Sequence, residues 1–336
     1  MWLNLRTVLI LILTLGLLAF FLWNVDLGQV WLEIRRAQLN LVIAATIMQC
    51  GTYVVRAVRW QYILLPVGRV PFLMVFRTTV IGVAVTSLLP ARAGEIVRPL
   101  LLARQQGLSA TATFATVVLE RLLDVTMVLC LFASFLLFFD PGMGGVDSSV
   151  FQAIKVGGTV SAVGALLVLG MVFGLAGDPQ RLARVVDYFN QLVPERVGHF
   201  VLAFVGRFAE GLAVIRQPMR LLVALVLSVP LWLLIASAIW LATRAFNIEL
   251  PYTGSFLLMM LLVVGIAVPT PGGIGGFHAA YQLGTTTFYA VPNDQAVGAA
   301  VLLHAVSFMP VTLLGVFFMA REGLNLARVR KLTLKS

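Results

Sequence analysis

Three clusters in this 336-residue chain have the residue types and spacing to handle an anion. The first is Arg92-Ala93-Gly94-Glu95-Ile96-Val97-Arg98-Pro99. Planar, permanently charged guanidinium groups capture phosphate through paired hydrogen bonds. Arg92 and Arg98 are therefore candidate substrate ligands, with Glu95 as their counter-charge. The second is Glu120-Arg121-Leu122-Leu123-Asp124, where the two carboxylates share a helical face at i, i+4 and Arg121 reaches Asp124 at i, i+3. Such a group suits ion pairing or charge coupling during transport. The third is Pro269-Thr270-Pro271-Gly272-Gly273-Ile274-Gly275-Gly276-Phe277-His278. Glycines ahead of a helix start present backbone N–H groups at the positive end of the helix dipole, a natural cradle for an anion. Gly272, Gly273, Gly275, Gly276 and His278 are expected to contact it. No strand precedes these glycines, so they are not a dinucleotide fingerprint. Each cluster also has a plainer reading: charges that only pin a turn, glycines that only permit close packing, a histidine that is only hydrogen-bonded.

The elements that position these residues are membrane helices. Apolar residues make up 60% of the chain and charged ones 11%, which excludes an ordinary soluble domain. A crossing takes about 20 mostly apolar residues. Thr7–Trp23, Leu39–Val55, Ala110–Phe139, Ala153–Ala176, Leu221–Thr243 and Ala296–Ala320 all qualify. Thr7–Trp23 lacks a small-x-small cleavage site and reads as a retained first helix. Cys50 and Cys130 lie in predicted spans without metal spacing to any histidine, so neither a disulfide nor a zinc site is expected, and no cofactor is called for. The span that starts near Ala110 places Glu120 about 15 Å deep, where ionisable groups need partners. Arg92, Arg98 and Arg77 are the expected ones.

Two further apolar stretches, Phe72–Leu89 and Gly254–Val268, run into the Pro/Gly breaks and are followed by short helical runs, Glu95–Gln105 and Phe277–Ala290. These runs reach only about 17 and 21 Å, short of a core roughly 30 Å thick. Each broken pair is therefore expected to be a re-entrant hairpin. Basic residues mark cytoplasmic loops. With hairpins, Arg56, Arg59, Arg69, Arg104, the six arginines of 177–220 and the basic tail all fall inside. The predicted fold is thus an all-α membrane protein with about six full spans and two re-entrant hairpins in an inverted repeat. Its parts are 1–38, first helix and interfacial segment; 39–139, the first repeat with hairpin 72–105; 140–220, a span and cytoplasmic amphipathic helices; 221–320, the inverted second repeat with hairpin 254–290; and 321–336, a basic tail. Both termini are expected in the cytoplasm, with the protein multi-pass in a bacterial inner membrane. Inverted repeats with paired broken helices are the layout of secondary transporters.

Four ordered motifs, Arg-Ala-Val-Arg-Trp at 56–60, Pro-Ala-Arg-Ala-Gly-Glu at 90–95, Glu-Arg-Leu-Leu-Asp at 120–124 and Pro-Gly-Gly-Ile-Gly-Gly-Phe at 271–277, resemble the flippase-like, lysylphosphatidylglycerol synthase transmembrane family. The resemblance runs from about Leu39 to Arg321 and implies lipid translocation, as in the flippase half of the multiple peptide resistance factor. Only about 16 residues follow the last span, so the soluble synthase half is expected to be absent. The leading expectation is an ATP-independent translocase for an anionic lipid of phospholipid or polyprenyl-phosphate type. The alternatives are a membrane enzyme acting on a lipid-linked substrate, for which no nucleophile–base signature is present, and a scaffold for a lipid-modifying enzyme or glycosyltransferase. The surplus of basic residues is topological, so nucleic acid is not an expected partner; further copies of the chain in a homo-oligomer are compatible with all three readings.

Overall fold

A computed structural model describes residues 15–16, 21, 25–89, 92–138, 156–160, 163–164, 167, 170, 211–212, 217–268 and 270–324. The regular structure of those residues is entirely helical. In chain order the elements are α1 (Leu27–Arg36), α2 (Leu39–Leu64), α3 (Phe72–Leu88), α4 (Ala93–Gln106), α5 (Ala110–Phe138), α6 (Pro218–Arg244), α7 (Gly254–Ala267), a 3₁₀ turn (Pro271–Gly273), α8 (Gly276–Tyr289) and α9 (Asn293–Arg321). The expected span Thr7–Trp23, most of Ala153–Ala176 and most of the amphipathic stretch 181–217 lie outside the described residues.

Among the described residues three helices are long and apolar enough to cross a bilayer, within α2, α6 and α9. Their outward faces carry exposed Ile43, Ile47, Val54, Leu222, Val226, Met309, Leu313 and Phe317. So much uncovered apolar surface is untenable in water and natural against lipid tails. The short helix α1 is different. Asp26 caps its first turn, its Oδ1 accepting from the Gly28 and Gln29 amides at 2.8 and 3.3 Å, and Arg35 and Arg36 close its last turn.

The helices pack in a repeating pattern. α2 lies along α6; α3 pairs with α4 as α7 pairs with α8; α4 rests on α5 as α8 rests on α9. The first helix of each broken pair is also held by the last helix of the other unit, α3 by α9 and α7 by α5. Both broken pairs close on glycines. A Cβ on Gly94 would collide with the Gly82 carbonyl, and one on Gly276 with the Gly265 carbonyl. Without side chains the two backbones of each pair come together as no larger residue allows.

The expected span Leu39–Val55 ends too early: α2 runs on through Arg56 and Arg59 to Leu64. Nothing between Val55 and Leu64 breaks a helix, and the arginines are neutralised inside the bundle, so the helix has no reason to end.

Candidate functional site

Where α3 gives way to α4, the chain turns through Arg92, which holds a left-handed conformation (φ 52°, ψ 36°) that few side chains accept. This turn places Arg92, Glu95 and Arg98 on one wall of a cavity of about 310 Å³. Arg121 and Asp124 of α5, Tyr53 and Arg56 of α2, and Trp232 of α6 supply further walls, while Val263 and Ile266 of α7 and Phe308 of α9 bring in the second unit.

The charges form one connected network. Arg59, fully buried, donates from Nη2 to Asp124 Oδ1 at 2.7 Å and to Glu120 Oε1 at 3.5 Å, and from Nη1 to Ser228 Oγ at 2.8 Å. Asp124 also accepts from Arg56 Nη1 at 3.4 Å and the Trp232 indole at 3.1 Å, and lies 3.5 Å from Arg121 Nη1. Glu120 lies 2.9 Å from Arg98 Nη1. At the half-exposed rim, Glu95 sits between Arg92 at 3.6 Å and Arg121 at 3.8 Å. Pairing offsets much of the desolvation of these ions, although Arg59 Nε, Arg121 Nε and Glu120 Oε2 remain without a hydrogen-bond partner.

Arg98 stands apart within this network. Its guanidinium lies over the Trp60 ring, 3.6 Å from the centroid, and Trp60 is itself fixed by an indole bond to Thr116 Oγ1 at 2.9 Å. Glu120 engages Nη1 alone. Arg98 Nε and Nη2, which together make the two-pronged edge of the guanidinium, are buried without a hydrogen-bond partner. An unmet buried donor costs about 1–3 kcal/mol, and more when charged. The edge has the shape that matches two oxygens of a phosphate or carboxylate.

The structure therefore joins the first two sequence clusters but rearranges their pairing. Glu120 meets Arg98 as expected. Asp124 meets Arg121 and Arg92 meets Glu95, also as expected, but Asp124 draws its other cations, Arg59 and Arg56, from α2, and Arg77 lies over the Phe318 ring at 5.6 Å. Sequence reasoning missed Arg56, Arg59, Trp60, Ser228 and Trp232. The signal for the first three was present in Arg-Ala-Val-Arg-Trp: Arg56 and Arg59, three apart, continue one face of a helix that no breaker interrupts.

The glycine-rich cluster does not line this cavity. Gly272, Gly273 and Gly275 all have positive φ, as the tight turn requires. The amides of Gly273 and Ile274 are already bonded to Thr270 and Pro271 carbonyls. His304 Nε2 lies 2.9 Å from the Gly272 carbonyl, and the His278 ring sits 4.6 Å from that of His304. Phe308 stacks on His304 at 4.6 Å and also lines the cavity, so one ring separates the imidazole pair from the charged network. Gly276 begins α8, and its place against Gly265 is a packing role. Among the described residues no group of histidine, cysteine and carboxylate side chains is arranged to hold a metal.

Two relatives match this chain nearly end to end. A UPF0104 membrane protein of Pyrococcus horikoshii is 26% identical over 353 residues, covering 98% of each chain. A UPF0104 membrane protein of Methanothermobacter thermautotrophicus is 22% identical over 321 residues, covering 90% of this chain and 89% of the relative. The family model described as the lysylphosphatidylglycerol synthase TM region matches residues 7–315, and the chain belongs to that family.

Proposed function

We propose that this protein is an ATP-independent, flippase-like translocase that passes an anionic lipid headgroup across the cytoplasmic membrane. The observation that carries this reading is the buried, unpartnered Nε/Nη2 edge of Arg98 beside a cavity at a helix break. Charged donors held away from water inside a membrane bundle mark a site for a charged guest. Both units contribute walls to the cavity, as expected of a transporter whose halves rock about a shared site.

In this reading α3/α4 and α7/α8 are re-entrant hairpins, and the helices form six spans with both termini in the cytoplasm. The parallel packing of the two units and the glycine closures of both broken pairs support an inverted repeat. Arg59 lies five residues, about 8 Å of rise, before the end of α2 that the basic residues mark as cytoplasmic. The site therefore receives its headgroup from the cytoplasmic leaflet. Arg98 and Arg92 bind it, and Glu95, Glu120 and Asp124 hold the arginines in place and take them back when the headgroup leaves. The glycine turn and the His278/His304 pair form the matching element of the second unit, beyond Phe308.

The test is leaflet exchange of fluorescent anionic and zwitterionic lipids in proteoliposomes. Exchange selective for an anionic headgroup and lost in Arg98→Ala is the expected result. Normal exchange by folded Arg98→Ala protein refutes the assignment. Chemical conversion of the lipid by purified protein would replace it with an enzymatic reading.

A further inference from the structure

The network can be read as a charge tally. Arg56, Arg59, Arg92, Arg98 and Arg121 face Glu95, Glu120 and Asp124, a surplus of two positive charges among the described residues that share these ion pairs or line the cavity. Two elements of this surplus are spatially distinct. The inner set, Arg56, Arg59 and Arg98 against Glu120 and Asp124, is buried and one charge in excess. The rim set, Arg92 and Arg121 against Glu95, is half-exposed and also one in excess.

A net charge in a poorly polarisable site is costly, and in the Born description the cost rises with the square of that charge. A guest of two negative charges brings this site to neutrality, whereas a guest of one leaves a positive charge stranded. The orphaned edge of Arg98 offers two donors to two oxygens of one group, and the rim arginines Arg92 and Arg121 stand ready for a third. Resting on the translocase reading, we infer that the headgroup is a lipid phosphomonoester, a dianion, and that phosphodiester headgroups with a single charge are poor ligands. A phosphomonoester carries about −1.5 to −2 at neutral pH, with its second ionisation near pH 6, and has three terminal oxygens.

Short-chain dioctanoyl phosphatidic acid and its methyl phosphodiester, which share tails and nearly share headgroup size, isolate this difference. Calorimetric titration of the detergent-purified full chain at pH 7.5 (about one and a half units above the second ionisation) should give the monoester at least about tenfold the affinity of the diester. Arg121→Gln lowers the surplus to one and should abolish or reverse the preference; Glu95→Gln raises it to three and should widen it. If either variant fails to fold, the other carries the test. For the native chain the preference should also collapse about a unit below pH 6, where the monoester becomes a monoanion. Equal affinities in the native chain, or a preference unmoved by either substitution, overturn the inference. Inorganic phosphate binding as tightly as phosphatidic acid overturns the lipid assignment in favour of a free anion. Leaflet exchange separates the two claims: tight monoester binding without exchange sinks the translocase reading alone, and equal exchange of both lipids sinks the monoester preference alone.

Discussion

Asp124→Asn is the most informative single perturbation of the charged network. The substitution keeps the side chain's shape and removes its charge. In the native protein Asp124 is in contact with Arg59 at 2.7 Å, Arg56 at 3.4 Å, Arg121 at 3.5 Å and the Trp232 indole at 3.1 Å. Without the carboxylate, Arg59 keeps only Glu120 at 3.5 Å and the Ser228 hydroxyl, while Arg56 loses the one ion pair found for it among the described residues. Arg59 is fully buried and Asp124 nearly so, so solvent does little to screen the loss. Removing one partner of a buried pair costs about 3–5 kcal/mol, mostly through the charge left behind. The asparagine still accepts one hydrogen bond, which places the expected cost near the lower end, about 3 kcal/mol. Thermal unfolding in mild detergent, followed by loss of the monodisperse species, should register this as a clear drop in midpoint. The decisive comparison is a double-mutant cycle with Arg59→Gln. The two changes should together cost less than the sum of their separate effects by about 2 kcal/mol, because the second relieves the charge stranded by the first. Additive effects, or an Asp124→Asn protein that melts with the native chain, would show that the network does not hold the bundle as argued.

Arg98→Lys keeps the charge but not the two-pronged edge, and leaflet exchange should fall about tenfold or more although the protein remains folded; exchange at the native rate would remove the bidentate argument. Gly94→Ala places a Cβ against the Gly82 carbonyl and should lower the melting midpoint strongly, whereas Gly51→Ala, whose nearest neighbour would be Leu234 at 3.8 Å, should leave it unchanged. His304→Phe deletes the contact to the Gly272 carbonyl and should destabilise the protein by about 1–3 kcal/mol, read in the same melting assay.

Much of the architecture is legible in the amino-acid order because the bilayer enforces it. Only apolar helices satisfy their backbone there, so span length and the Pro/Gly breaks announce themselves. The helices on either side of Arg92 and of the Pro271–Gly273 turn lie where the breaks predict. Deep ionisable residues likewise advertise a site, since burial without partners is too costly. Hence Arg98, Glu120 and Asp124 stand out in the sequence itself.

The choice of partners could not be read along the chain. Arg59 and Glu120 are 61 residues apart, and Arg59 and Ser228 are 169 apart; only the packing of α2 against α5 and α6 brings them together. Counting Arg56 and Arg59 as loop cations follows from a rule that weighs charge by position in the chain, whereas their true setting depends on a carboxylate supplied by another helix. The same limit applies to the glycine-rich turn, where the Gly273 and Ile274 amides, free in the sequence reading, are bonded to the Thr270 and Pro271 carbonyls once the turn closes. Local sequence determines which segments become helices and where they must break. The tertiary structure decides which charges neutralise one another, and so which guanidinium edge is left without a partner.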